Sequence, residues 1–370
     1  MKNMELGVFS FGDVQRKKDG TLGPTHESVT NLLEAIQLAD KVGLDVFGIG
    51  EHHTEYFPAS SPSTLIAAAA ATTKNIKLTS AVTVLSTDDP VRVYQQFATA
   101  DIISNGRVEI IAGRGSSTES FPLFGYSLRD YDKLYAEKLD LLLQINASKD
   151  GKVTWDGDFR ASLDNVEIVP RPKNPMNIWL ATGGNPESSI RAASLGMPIT
   201  YAIIGGHMSR FAPLVDLYHE AARQYNVPNA DNRVALASPG YIAEDAQDAK
   251  DTFWKAWGWT MTTLGKVRGF AAPTRDHYDA ESNVDGALFA GSPEEIAQRI
   301  IETHKKLGHT RHIFQMDTGQ LPQEKFLKSI ELLGTKVAPI VRKYMANEAA
   351  KKAANEAKVV KAIKVAGDAK

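Results

Sequence analysis

The sequence predicts an α/β fold, a (β/α)8 TIM barrel with insertions after strands 1, 4 and 7. Eight short β-rich runs alternate with longer stretches of helical period, the pattern of a parallel sheet whose crossovers are helices. The 370 residues, 43% of them hydrophobic, are enough for one such barrel with additions. Polar and glycine-rich segments gather just after the strand runs, at the end where barrel enzymes carry their chemistry.

The strands are predicted at residues 5–12, 46–51, 77–85, 108–113, 177–184, 198–204, 233–242 and 312–317. The first helix is marked by Val29, Leu32, Leu33, Ile36 and Ala39 at i, i+3, i+4, i+7 spacing, with Gly43 as its stop. Near the last repeat, Ser292 can cap a helix that starts at Pro293, with Glu295 reaching back to the Ser292 amide. Residues 13–26 form a long polar connection after the first strand, and a loop at 115–132 follows the fourth. Residues 243–290 form the third insertion and are expected to act as a lid. Trp254 and Trp257, three apart on its helix, suit packing better than substrate contact. The barrel domain is expected to span 1–345, followed by an Ala/Lys-rich tail at 346–370, either a marginal exposed helix or disordered.

Composition removes several functions. With 42 Lys and Arg against 44 Asp and Glu there is no electrostatic footprint for nucleic acid or an anionic membrane, so the expected partner is a small molecule. The absence of cysteine excludes disulfides, thiolate nucleophiles and thiolate metal sites. No run approaches a membrane span and the amino terminus lacks a signal-peptide pattern, which predicts a soluble protein of the cytoplasm.

Four segments project onto one rim: Glu51, His52 and His53 after strand two, Ala81 and Val82 in strand three, Arg114 after strand four, and "TGGNPESS" (182–189) after strand five. In the last, Gly183 and Gly184 allow close backbone approach, Asn185 can cap the next helix, and Ser188 and Ser189 add hydroxyls. Such a helix start can hold a phosphate, or it can be an ordinary turn with a good cap. Arg114 can reach a phosphate with two parallel bonds or pair with a surface carboxylate. Adjacent residues of an extended chain point to opposite faces, so His52 and His53 are not expected to share one site, and chelation of a metal by the pair is disfavoured. One of them can handle a proton at the rim; a structural role is the plainer alternative. No lysine is placed at a strand end as a Schiff-base candidate, which ranks a phosphate-handling aldolase or isomerase last.

Residues 48–125, with "GIGEHH", "SAVTVL" followed by "DPVR", and "ISNGRVEIIAGRG", resemble the luciferase-like monooxygenase family of flavin-dependent (β/α)8 enzymes. "IWLATGGNPESSIRAASLGMPI" and "FAGSPEEIAQRIIE" extend the resemblance over roughly residues 5–342. It implies that His52 is the acid/base beside the flavin and that Arg114, Gly183, Gly184 and Asn185, with Ser188 and Ser189 less firmly matched, hold its phosphate. It also implies a non-prolyl cis peptide at Ala81–Val82 against the ring system. The cofactor implied is FMN, with the deazaflavin F420 as the less fitting alternative. The reaction implied is that of reduced flavin with dioxygen at C4a, the peroxyflavin then oxygenating a small, apolar substrate; Phe121, Phe124, Tyr126 and Trp257 are candidates to line its pocket. The resemblance implies a homodimer through helices two and three, and reduced flavin supplied either by a separate flavin reductase or by reduction in place by a nicotinamide. Gly113 stands where bacterial luciferase has a reactive cysteine, so the resemblance does not extend to light emission. A flavin-binding protein without catalysis remains the alternative from another class.

Overall fold

The computed structural model describes residues 4–17, 19, 21–227 and 233–367. Its strands, in chain order, are β1 (Glu5–Ser10), β2 (Val46–Ile49), β3 (Lys77–Ser80), β4 (Thr83–Val84), β5 (Val108–Gly113), β6 (Lys152–Trp155), β7 (Leu163–Glu167), β8 (Asn177–Thr182), β9 (Ile199–Ala202), β10 (Val234–Ile242), β11 (Phe289–Gly291) and β12 (Arg311–Gln315). Parallel pairing runs β1, β2, β3, β5, β8, β9, β10, β12 and returns from β12 to β1, which closes an eight-stranded barrel. A ring of this kind has no free edge to protect. All eight expected strands are present, with outer ends displaced by up to two residues. The third is interrupted at Ala81–Val82, where the peptide is cis, and resumes as β4 against β5.

The helices are α1 (Thr25–Lys41), α2 (Pro62–Thr72), α3 (Pro90–Ser104), α4 (Ser120–Leu123), α5 (Tyr131–Ala147), α6 (Pro186–Ser194), α7 (Ala212–Gln224), α8 (Ala246–Arg268), α9 (Arg275–Glu281), α10 (Pro293–Leu307), α11 (Gln323–Leu332) and α12 (Ala338–Gly367). α1 buries Leu32, Ala35, Ile36 and Ala39 on one face, as its spacing requires. At α10 the Ser292 hydroxyl accepts from the Glu295 amide and Pro293 opens the helix. The antiparallel hairpin of β6 and β7, between α5 and β8, is an addition the strand pattern did not reveal. α12 runs through the expected boundary at 345 without a break, and residues 368–370 lie outside the described residues.

The seventh-strand insertion folds as α8 and α9 over a core of its own, in which Phe253, Trp257, Tyr278 and Leu288 are buried. Both tryptophans serve packing there, Trp254 and Trp257 lying against each other and against Tyr278.

The amino-terminal mouth of the barrel is plugged by charge. Arg311, 1% exposed, donates from Nη1 to Glu109 Oε2 at 2.6 Å and from Nε to Glu5 Oε2 at 2.7 Å. Its guanidinium lies 4.4 Å over the Trp179 ring, whose indole N–H donates to Glu109 at 3.1 Å. Lys77 completes the cluster with an ammonium 2.6 Å from Glu5. Burial pushes the Glu109 carboxyl up, but Arg311 and Lys77 outweigh it and hold the group below the usual carboxylate range. Removing one partner of a buried pair strands the other, at a cost of about 3–5 kcal/mol. Arg311→Ala is therefore expected to lower the urea midpoint by an amount corresponding to that loss, while Arg223→Ala, which breaks the exposed pair with Glu220, leaves the midpoint in place. Equal midpoints for the two variants would count against the plug as a stabilising element.

Candidate functional site

The carboxyl ends of the barrel strands open into a cleft of about 310 Å³. Its floor is apolar: Phe9 of β1, Ile111 of β5, Ala181 of β8, Ala202 of β9, Ala237 of β10 and Ile313 of β12. The alternating period of a strand directs these side chains inward while their neighbours face the helices. Thr200 and Gln315 add polar atoms at intermediate depth.

One wall is the cis peptide Ala81–Val82, placed as the family resemblance implies. Glycines surround it for steric reasons. A Cβ on Gly48 would lie 2.8 Å from the Ala81 Cβ, one on Gly50 2.2 Å from the Phe11 ring, and one on Gly113 2.6 Å from a Val82 methyl. The "GIG" of the second strand and the glycine at the end of the fourth therefore give the space that Ala81, Phe11 and Val82 fill.

The two histidines both line the cleft, which corrects the expectation that they divide between opposite faces. β2 pairing ends at Ile49, not at Glu51, so residues 50–53 lie beyond the strand ladder, which no longer imposes the alternation on them. His52 Nδ1 is 2.6 Å from Glu119 Oε1, and its ring lies against Phe11 and Phe57 at centroid distances of 4.5 and 5.2 Å. His53 Nε2 is 3.1 Å from Glu51 Oε1, while Glu51 Oε2 accepts the Val84 amide at 2.8 Å. Among the described residues no group of three or more His, Cys, Asp or Glu is arranged to hold a metal.

Arg114 lines the cleft beside Gly115, Ser116 and Ser117. Its Nη1 donates to Asp132 Oδ1 at 2.6 Å, and that carboxylate is 76% exposed. An exposed pair of this kind is worth about 0–1 kcal/mol, so an anion of higher charge can take the guanidinium from it. Of the 182–189 segment, Gly183 reaches the cleft, with open space where a Cβ would sit. The amides of Gly184 and Asn185 already donate to Thr182 Oγ1, each at 3.2 Å, and Asn185 caps α6 by accepting the Glu187 amide. Ser188 is half-buried outside the lining. Ser189 corrects an expectation: it is fully buried with its hydroxyl 2.8 Å from that of Tyr201, because its place on α6 faces the barrel and not the rim.

Two further expectations change. Among the described residues none of 243–290 lines this cleft; the insertion meets the rim where Trp259 lies against Tyr56. Phe121 and Trp257 are core residues, Phe121 stacked on Tyr131; Phe124 and Tyr126 are also absent from the lining, although the Phe124 ring edge approaches His53 at 5.0 Å. Glu119 was not singled out from the sequence. Its one signal is a carboxylate within a short loop after a barrel strand, which does not reveal a partner 67 residues away.

The family model described as luciferase-like monooxygenase matches residues 4–311. The oxygenase component of a flavin-dependent trigonelline monooxygenase from Acinetobacter baylyi is 24% identical over 83% of this chain and 88% of its own. An F420-dependent glucose-6-phosphate dehydrogenase from Beutenbergia cavernae is 32% identical over 77% of this chain and 86% of its own. The oxygenating constituent of 3,6-diketocamphane monooxygenase from Pseudomonas putida, solved with FMN, superimposes with a TM-score of 0.71 at 20% identity, covering 91% of this chain and 99% of that one.

The close approach of Gly113 to Val82 gives a test of the wall. Gly113→Ala is expected to cost about 1–3 kcal/mol, the usual penalty for overpacking. In the Gly113→Ala/Val82→Ala double variant the loss should be smaller than the sum of the two single losses, as measured by denaturant unfolding; strict additivity would mean that the two positions do not press on one another.

Proposed function

The chain belongs to the luciferase-like monooxygenase family, and on that premise we propose that it uses reduced FMN and dioxygen to oxygenate a small, apolar organic substrate. The observation that carries this reading is the coexistence, in one cleft, of an apolar floor, a wall of small residues at Ala81–Val82 and Gly113, the imidazole of His52, and the Arg114 guanidinium at the mouth. These residues fit a flavin mononucleotide: the flat ring system suits the apolar cleft beside the Ala81–Val82 wall, and the phosphate suits Arg114 with the open backbone at Gly183. Gly184 and Asn185 support that end from behind, their amides on Thr182 Oγ1 shaping the turn that presents Gly183, and the Ser188 amide donates to the Asn185 carbonyl. When bound, the reduced flavin supplies the electrons and the reactivity toward oxygen. The chain's own contribution is to orient it, to exclude water with Phe9, Ile111 and Ile313, and to hold or accept a proton at His52.

Arg114 is the one Arg or Lys among the described lining residues, and in this reading the phosphate engages it. That weighs against F420-dependent turnover of a sugar phosphate, the second reading that the Beutenbergia relative suggests. A separate flavin reductase as partner is supported by the description of the Acinetobacter relative as an oxygenase component. We place a homodimer contact on α2 and α3, where Ala68, Ala71, Ile102 and Ile103 are exposed. Ile102→Glu/Ile103→Glu should halve the mass found by sedimentation equilibrium, and a native chain that sediments as a monomer removes the dimer.

Titration of the protein with FMN, reduced FMN and F420, followed by fluorescence and thermal shift, should give saturable binding of the FMN forms that Arg114→Met weakens about tenfold or more. His52→Ala should keep that binding and slow product formation. No response to any flavin would overturn the reading; binding without consumption of oxygen beyond that of free reduced flavin would favour a flavin-binding protein without catalysis.

A further inference from the structure

We propose that Glu119 is the positioning residue of this site, fixing the proton of neutral His52 on Nδ1 and so leaving Nε2 as the acceptor available to the cleft. The inference rests on the reading of His52 as the proton-handling group of a flavin cleft and goes beyond it by deciding which nitrogen acts.

The geometry leaves little choice. Glu119 Oε1 stands 2.6 Å from Nδ1, with the backbone amides of Glu119 and His53 nearby. Burial pushes this carboxyl up, but the bond from His52 and those amides bring it below the usual carboxylate range. An ionised carboxylate can only accept, so Nδ1 must be the donor. A neutral imidazole has one ring proton, and with it on Nδ1 the lone pair is on Nε2. No protein group among the described residues bonds Nε2, and His52 lines the cleft. The rings of Phe11 and Phe57 hold the imidazole plane, so exchanging the two nitrogens would require repacking. If Nε2 takes a proton, the carboxylate 2.6 Å from Nδ1 stabilises the imidazolium that forms.

The neighbouring pair supplies a control. His53 meets Glu51 through Nε2, the opposite nitrogen, and Glu51 is fixed by the Val84 amide. Two adjacent imidazoles thus offer different nitrogens because their carboxylates come from different places: Glu51 from two residues away in the same segment, and Glu119 from the loop after β5. Phe121 anchors that loop, fully buried two residues beyond Glu119, together with the Tyr131 hydroxyl, which donates to the Gly115 carbonyl at 2.6 Å.

The test uses the full chain without flavin, labelled with ¹⁵N-histidine, with His52 and His53 assigned by single substitution. Imidazole nitrogen shifts above neutral pH should report the Nδ1–H form for His52 and the Nε2–H form for His53. In Glu119→Leu the His52 signals should move to those of a tautomer mixture while those of His53 stay in place. Glu119→Gln, whose amide oxygen can still accept, should restore the Nδ1–H form. A wild-type His52 in the Nε2–H form overturns the proposal even if Glu119→Leu does not fold, and so does a Leu variant that folds and keeps the Nδ1–H form. FMN binding measured on the same samples separates the two readings: a tautomer response without flavin binding sinks the flavin reading and leaves the assignment of Glu119 standing.

Discussion

The buried contact of Arg311 with Glu109 and Glu5 is the constraint on which the rest of the molecule depends. A barrel of parallel strands must fill its interior, and this one fills the amino-terminal end with a guanidinium stacked on Trp179 and shared between two carboxylates. The participants come from β1, β3, β5, β8 and β12, so the cluster ties strands from around the ring across its axis. A charge so enclosed tolerates little displacement, because losing its partners would leave it desolvated. With one end closed, the opposite end can remain open, with alanines on three successive strands where a packed barrel would place larger side chains.

At the open end, polar groups are arranged by the same rule of paired partners, at lower cost because water is near. Each histidine has a carboxylate, and one of those carboxylates is itself held by a backbone amide. The result joins β2, β4 and the loop after β5 around a cleft whose walls are otherwise hydrocarbon. The elements that position the chemistry therefore depend on one another more than on the helices behind them.

Much of this architecture was legible in the sequence. Runs such as "VEIIAG" and "NIWLAT" can be little other than buried strands, and the capping of α10 follows from Ser292, Pro293 and Glu295 alone. What failed shares a cause. The strand at 46–49 was extended to Glu51 because the sequence does not show where hydrogen bonding to a neighbour stops. Glu109, between Val108 and Ile110, fits the solvent side of an alternating strand, yet inside a closed ring that side is the interior and its partner lies 202 residues away. Ser189 and Glu119 are similar: which side of a helix or loop meets the barrel is set by packing between distant segments. The aromatic residues of the insertions looked like ligand contacts because local sequence does not separate a small second core from a pocket.

The two sides of the cleft differ in their freedom to change. Around Ala81 and Val82 each glycine is pressed by a neighbour, so a new side chain at one position demands a compensating loss at another, and descent through single steps is nearly closed there. On the other side Ala181, Ala202 and Ala237 border the open cleft, so a larger side chain there has space to enter. Lineages that diverge from this protein should therefore keep the wall at Ala81–Val82 almost letter for letter and record their changes in three alanines.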